Sequence, residues 1–152
     1  MNKYLLKYIA FCFIVMLLGS CNDSESDLLE PKVYFENKEY VIEVTDAEVM
    51  THDLQARVSS LYSSSVEVSY EVADPSVVEA YNKKYGTEYE TFEASNVKLG
   101  SGSSVVPDGQ VYAELVSLQF SNLKSIEEGK SYLLPVRIKS ASLPIIEERD
   151  IV

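Results

Sequence analysis

Apolar side chains recur at every second position along much of this chain. A period of two commits a segment to β-strand, because successive side chains of a strand point to opposite faces. In "VEVSYEV", Val66, Val68, Tyr70 and Val72 face one way, and Glu67, Ser69 and Glu71 the other. "DLQARVSSLY" places Leu54, Ala56 and Val58 on one side. "KVYFENKEYVIEV" reads as two short strands around Glu36-Asn37-Lys38. "YLLPVRIKS" repeats the pattern with Tyr132, Leu134, Val136 and Ile138, which puts Pro135 on the outward side. Proline cannot donate to a ladder, so an edge or a bulge is expected there. "QVYAELVSLQF" changes phase midway: Val111, Ala113 and Leu115 give way to Val116, Leu118 and Phe120. One extra residue near Leu115, a β-bulge, accounts for the change.

One segment departs from the period of two. "DPSVVEAYNKKYG" offers Asp74 as N-cap, Pro75 at the first helical position and Gly86 as the stop. Val77, Val78, Tyr81 and Tyr85 form an apolar stripe, with Glu79, Asn82, Lys83 and Lys84 on the wet side. A short amphipathic helix over 75–85 is expected, inserted in a mainly β fold. "GSGSS" and "PDGQ" are turn signals. Six or seven short strands separated by turns point to an immunoglobulin-like β-sandwich, without the Cys…Trp…Cys pin of antibody domains.

The N-terminus has a different character. Behind Lys3 and Lys7, the eleven apolar and aromatic residues Tyr8 to Leu18 are too few to span a bilayer, which needs about 20. Their length and flanks are those of a signal-peptide core. The run ends in Leu18-Gly19-Ser20-Cys21, which resembles the lipobox of bacterial lipoproteins. The resemblance implies a signal peptide over 1–20, cleavage before Cys21, and lipid attachment to that cysteine. Several acyl chains make a stable anchor where a single one is marginal. Cys12 would leave with the signal and Cys21 would carry lipid, so no thiol would remain for a disulfide, a metal or catalysis. The acids Asp23, Glu25, Asp27 and Glu30 mark 21–31 as an acidic flexible tether. They also resemble the signal that sends Bacteroidetes lipoproteins to the outer face of the outer membrane, the inward-facing leaflet being the alternative. The formal charge is −11; without Lys3 and Lys7, 11 basic residues face 24 acids, a balance of −13. Nucleic acid is therefore excluded as a partner, since phosphate binding needs clustered cations.

Two blocks carry a family likeness. The first holds Val78, Tyr81, Asn82, Gly86, Thr87 and Tyr89; the second holds Gly129, Lys130, Tyr132, Leu134, Pro135, Val136, Arg137 and Ile138. In this order they closely resemble the immunoglobulin-like N-terminal domain of Bacteroidetes surface lipoproteins, the domain of unknown function 1735. The likeness runs from about Pro31 to the end. It departs at Thr91-Phe92-Glu93-Ala94, where the family usually has Leu-Pro, and after "LPIIEERDIV", where the family usually continues. It leaves open whether the domain, 32–152, lacks its last strand. The motif residues look architectural: Tyr81 should pack inward, and Asn82 should bond to the backbone of the following loop.

No catalytic constellation stands out. The acids alternate on solvent faces or lie in the tether, whereas a glycosidase needs a carboxylate pair held in a cleft. His52 has Asp46, Glu48 and Asp53 nearby in sequence, but in no recognised metal spacing, and a solvated turn is expected there. There is no G-x-S-x-G elbow, P-loop or EF-hand loop. No enzyme activity, metal or cofactor is expected. Sugar sites commonly use exposed aromatic faces. Trp is absent, and Tyr85 and Tyr89 beside the helix are the candidates for a platform; Tyr34, Tyr62 and Tyr112 lie on strands and read as half-buried. The family's usual neighbours are carbohydrate-binding sandwiches and glycoside hydrolases. They imply a non-catalytic outer-membrane surface lipoprotein, an accessory or spacer module in glycan capture by a polysaccharide-utilisation system. Its partners would be the membrane, through the lipid anchor, and a glycan or glycan-utilisation proteins. The alternatives are a structural or adhesive subunit pairing through its C-terminal sheet edge, and the N-terminal stub of a larger glycoside hydrolase.

Overall fold

A computed structural model describes residues 30–44 and 48–152. The expected signal peptide, the expected lipid-attachment residue Cys21 and most of the expected tether lie outside the described residues. The frame is set by one run of alternating side chains from Met50 to Val58. It forms β2 (Met50–Leu54) and β3 (Ala56–Val58), with Leu54, Ala56 and Val58 all buried. Inward and outward residues alternate without interruption, yet the hydrogen-bonded partners change at Gln55. β2 pairs antiparallel with β8 (Val116–Phe120), while β3 pairs antiparallel with β1 (Val33–Phe35). One strand thus belongs to two sheets.

The phase change expected near Leu115 is a bulge. Leu54 pairs with Val116 and Arg57 with Tyr112, so Gln55 and Ala56 face the three residues Ala113, Glu114 and Leu115. The Gln55 side-chain amide donates to the Ala113 carbonyl at 2.8 Å, and the Ala113 N–H donates to the Ala56 carbonyl at 2.9 Å. The extra residue therefore costs the ladder little.

β8 also pairs with β6 (Val97–Leu99). A separate three-stranded sheet orders β10 (Val136–Ala141), β4 (Val66–Val72) and β7 (Ser103–Val106), with a second bulge at Lys139. One apolar cluster draws on β1, β2, β3, β4, β7, β8 and β10, the inner faces of a β-sandwich. Counting β2 and β3 as one strand, and setting aside the two-residue parallel pair β5 (Glu90–Thr91) and β9 (Tyr132–Leu133), seven strands among the described residues build it. Its one buried polar residue among the described residues, Ser104, is bonded to the Tyr70 phenol at 2.7 Å. Burial raises the Tyr70 pKa above its ordinary value, while the Ser104 bond acts the other way. Ile151 bridges Arg137, and Val136 and Val152 exchange both backbone hydrogen bonds, so the C-terminal residues lie along β10.

Two expectations fail. The second strand of "KVYFENKEYVIEV" does not form: Glu39–Val44 carries no strand, and Val41 is 92% exposed. Alternation supplies β-propensity, but a strand forms only where a sheet face can bury one side. Pro135 is buried, not outward. It sits between β9 and β10, where the chain leaves one sheet for another, and its carbonyl accepts from Ala73 N–H at 2.8 Å. Proline ends the first pairing because it has no N–H to donate.

Phe35 is 1% exposed and stacks on Tyr70 with ring centroids 5.9 Å apart. Phe35→Ala is expected to lower the unfolding free energy by about 3–5 kcal/mol. The measurement is the urea midpoint; a loss under about 1 kcal/mol would show that β1 does not anchor the core.

Candidate functional site

The helix α1 (Ser76–Tyr85) positions the site. Pro75 already holds helical angles, and the Asp74 carboxylate accepts the Ser76 N–H at 2.9 Å. Hydrogen bonding from the Ser76 hydroxyl, and then from this N–H, favours the charged form and lowers the Asp74 pKa below its ordinary 3.8. At the other end Gly86 takes φ +67°, the left-handed conformation that a helix exit favours, and returns its N–H to the Asn82 carbonyl at 2.8 Å. Val78 is buried under the helix and Tyr81 is half-buried, but Tyr85 is 57% exposed.

Asn82 clamps the loop that follows. Its Nδ2 donates to the Tyr89 carbonyl at 2.8 Å; its Oδ1 accepts the Thr87 hydroxyl at 2.9 Å and the Tyr89 N–H at 3.0 Å. The expected architectural role is thus realised, and its consequence is the placement of Tyr89. Tyr81 stands between the two candidate rings, 4.5 Å from Tyr85 and 6.0 Å from Tyr89. Its hydroxyl donates to Glu39 at 3.4 Å. Loss of solvent and the Glu39 charge raise its pKa. Lys84 lies 5.0 Å from the Tyr85 ring centre.

From Tyr89 an open groove of about 480 Å³ runs between Thr87–Glu90 and Gly129–Ser131. Lys130 reaches Glu90 at 2.6 Å and Glu127 at 2.8 Å, and these two carboxylates raise its pKa. With Glu88 also in the wall, acids outnumber bases. The arrangement offers ring faces, hydroxyls, carboxylate acceptors and one tethered ammonium. That set suits reversible binding of a polyhydroxylated, uncharged molecule and repels anions. The structure brings Tyr85 and Tyr89 together around Tyr81, but only Tyr89 lines the groove.

His52 does not lie in a turn. It sits in β2 opposite Leu118, its ring edge-on to that of Tyr40 with centroids 4.6 Å apart. The alternation simply begins earlier than Asp53, at Met50. Among the described residues, no three His, Cys, Asp or Glu side chains stand close enough to hold a metal ion.

Sequence reasoning missed a second aromatic group. Tyr112, expected to be half-buried, is 42% exposed on the outer face of the sheet. Tyr34 pairs with Arg57, and Arg57 with Tyr112, across neighbouring strands. Only the register brings them together; no local signal in the sequence does.

A family model described as a "-like, N-terminal domain" matches residues 29–145. Among solved structures, a candidate carbohydrate-binding protein from Bacteroides ovatus is 46% identical, with a TM-score of 0.76, over 80% of this chain and 35% of its own. A two-domain protein of unknown function from Bacteroides fragilis matches 99% of this chain and 48% of its own at 10% identity and TM-score 0.56. EndoBT-3987 from Bacteroides thetaiotamicron, solved with a Man5GlcNAc product, matches 66% of this chain and 24% of its own at 20% identity and TM-score 0.54. The last two likenesses concern the fold alone. The chain spans between 24% and 48% of the length of six solved chains that it matches. No curated protein matches it.

Asn82→Ala removes all three side-chain bonds of the clamp. It is expected to cost about 1–3 kcal/mol and to speed hydrogen exchange at the Tyr89 amide. Unchanged exchange at Tyr89 would contradict the clamp.

Proposed function

The chain belongs to the Bacteroidetes family of N-terminal immunoglobulin-like domains that its residues 29–145 match, and from that premise we propose that it is a non-catalytic accessory module for glycan capture. The observation that carries the reading is the 46% identity, over 80% of this chain, to the Bacteroides ovatus candidate carbohydrate-binding protein. The site supports it. A clamped loop holds Tyr89 at the mouth of an open groove, and sugar rings stack their C–H faces on such rings while carboxylates and hydroxyls take their hydroxyl groups. The more acidic wall favours uncharged glycans.

The sequence Leu18-Gly19-Ser20-Cys21 supports a lipid anchor at Cys21, and the acids behind it support display on the outer face of the outer membrane. There the domain serves as a spacer as well as a contact, holding its partner clear of the lipid.

Two measurements test the reading. Metabolic labelling with a palmitate analogue is expected to mark the full chain, and Cys21→Ala to abolish the label and free the protein from the membrane fraction. Affinity electrophoresis of the full chain through xylan, galactomannan or α-mannan is expected to show retardation. Tyr89→Ala should weaken the affinity by about tenfold, the loss of one stacked ring. Migration unaffected by every polysaccharide would remove the glycan role.

A further inference from the structure

Across the outer face of the sheet, four side chains stack in a row drawn from four parts of the chain. Arg149 lies 4.7 Å from the Tyr34 ring centre; Arg57 lies 5.7 Å from Tyr34 and 4.9 Å from Tyr112. Glu36 ties the row together. Its carboxylate takes Arg57 at 2.5 Å and the Tyr112 hydroxyl at 3.1 Å, and its backbone carbonyl accepts from Arg149. Tyr112 is therefore held at its hydroxyl by Glu36 and on one face by Arg57, while 42% of its surface remains exposed. A ring fixed during folding loses little freedom on binding.

The bulge adds to this surface. It gives Glu114 and Leu115 consecutive outward positions, and leaves Leu115, three residues along from Tyr112, 60% exposed. Beyond them, the exposed pairs Asp53–Ser117 and Thr51–Gln119 continue along β2 and β8. The surface is a strip with an aromatic and aliphatic end and a polar, hydroxyl-bearing and acidic remainder.

We propose that this strip, centred on Tyr112, is a second carbohydrate contact, separate from the helix-exit groove, for an uncharged glycan chain. The ring offers its open face to sugar C–H groups. Glu36, its side chain 48% exposed, offers acceptors to sugar hydroxyls at the ring edge. Arg57 is neutralised by Glu36, and the charge of Arg149, which lies against Tyr34, is offset by the exposed Asp53 and Glu114 along the strip, so an anionic glycan meets no net positive charge here. The formal charge of −11 adds long-range repulsion of polyanions. The inference rests on the glycan-capture reading and names a second surface for it.

The experiment is affinity electrophoresis of the full chain through xylan, galactomannan and α-mannan, with polygalacturonate as the anionic comparison. Tyr112→Ala is expected to weaken the affinity for the retarding neutral polymer by about tenfold. Tyr112→Phe, which keeps the ring and loses only its hydroxyl, should retain most of the affinity. Leu115→Ser, at an exposed position that leaves folding intact, should weaken it severalfold and serves if Tyr112→Ala fails to fold. A wild-type chain that is retarded while Tyr112→Ala and Leu115→Ser are retarded equally overturns this inference and leaves the glycan reading standing. Equal retardation by polygalacturonate overturns the selectivity for uncharged chains. A wild-type chain retarded by no polymer overturns both readings.

Discussion

The fold depends on one strand serving two sheets. From Met50 to Val58 the side chains alternate without a break, while the hydrogen-bonded partners change at Gln55. A strand cannot slip by one residue without turning its buried set outward. Leu54, Ala56 and Val58 therefore fix the register of both halves together, each large buried side chain contributing roughly 1.5–3 kcal/mol. The opposite chain segment must absorb the mismatch, and it does so with one extra residue. Gln55 then bonds the carbonyl that the irregularity would leave exposed. Bulge, bend and side-chain amide form a single device.

That device also sets what the surface can present. The bulge leaves Leu115 outward, three residues along from Tyr112, at which the stacked row ends. On another part of the domain, the Asn82 side chain fixes the Tyr89 backbone by two hydrogen bonds and Thr87 by a third. Both aromatic groups are held by polar restraints rather than by burial, which keeps their faces available. A rigid sandwich carrying fixed tyrosines suits reversible contact with a sugar chain, where pre-organisation reduces the cost of binding.

Some of this was legible in the residues alone. Asp74, Pro75 and Gly86 delimit a helix because capping and helix exit are local chemistry. The phase change at Leu115 announces its bulge because the period of two leaves no other way to keep Ala113 and Val116 both inward. Asn82 is readable as a loop anchor from its place near the helix end, within the block that carries the family likeness. The strand expected over Glu39–Val44 was not there, because alternation says what a segment can do and not whether a sheet face awaits it. The alternation alone puts Pro135 outward because it runs on through a change of sheet between β9 and β10. The row through Tyr34, Arg57, Tyr112 and Arg149 was invisible. It unites residues far apart in the chain through strand register, and no periodicity encodes which strands become neighbours.

The most direct test of the shared strand is native-state hydrogen exchange followed by NMR. The amides of Val58 and Ala113 lie on one side of the bulge, and the ladder amides of β2 and β8 on the other. If one strand binds both sheets into a single cooperative unit, these two groups should open with the same free energy, equal to that of global unfolding. Opening energies differing by more than about 1 kcal/mol, with one sheet exchanging while the other stays protected, would contradict it.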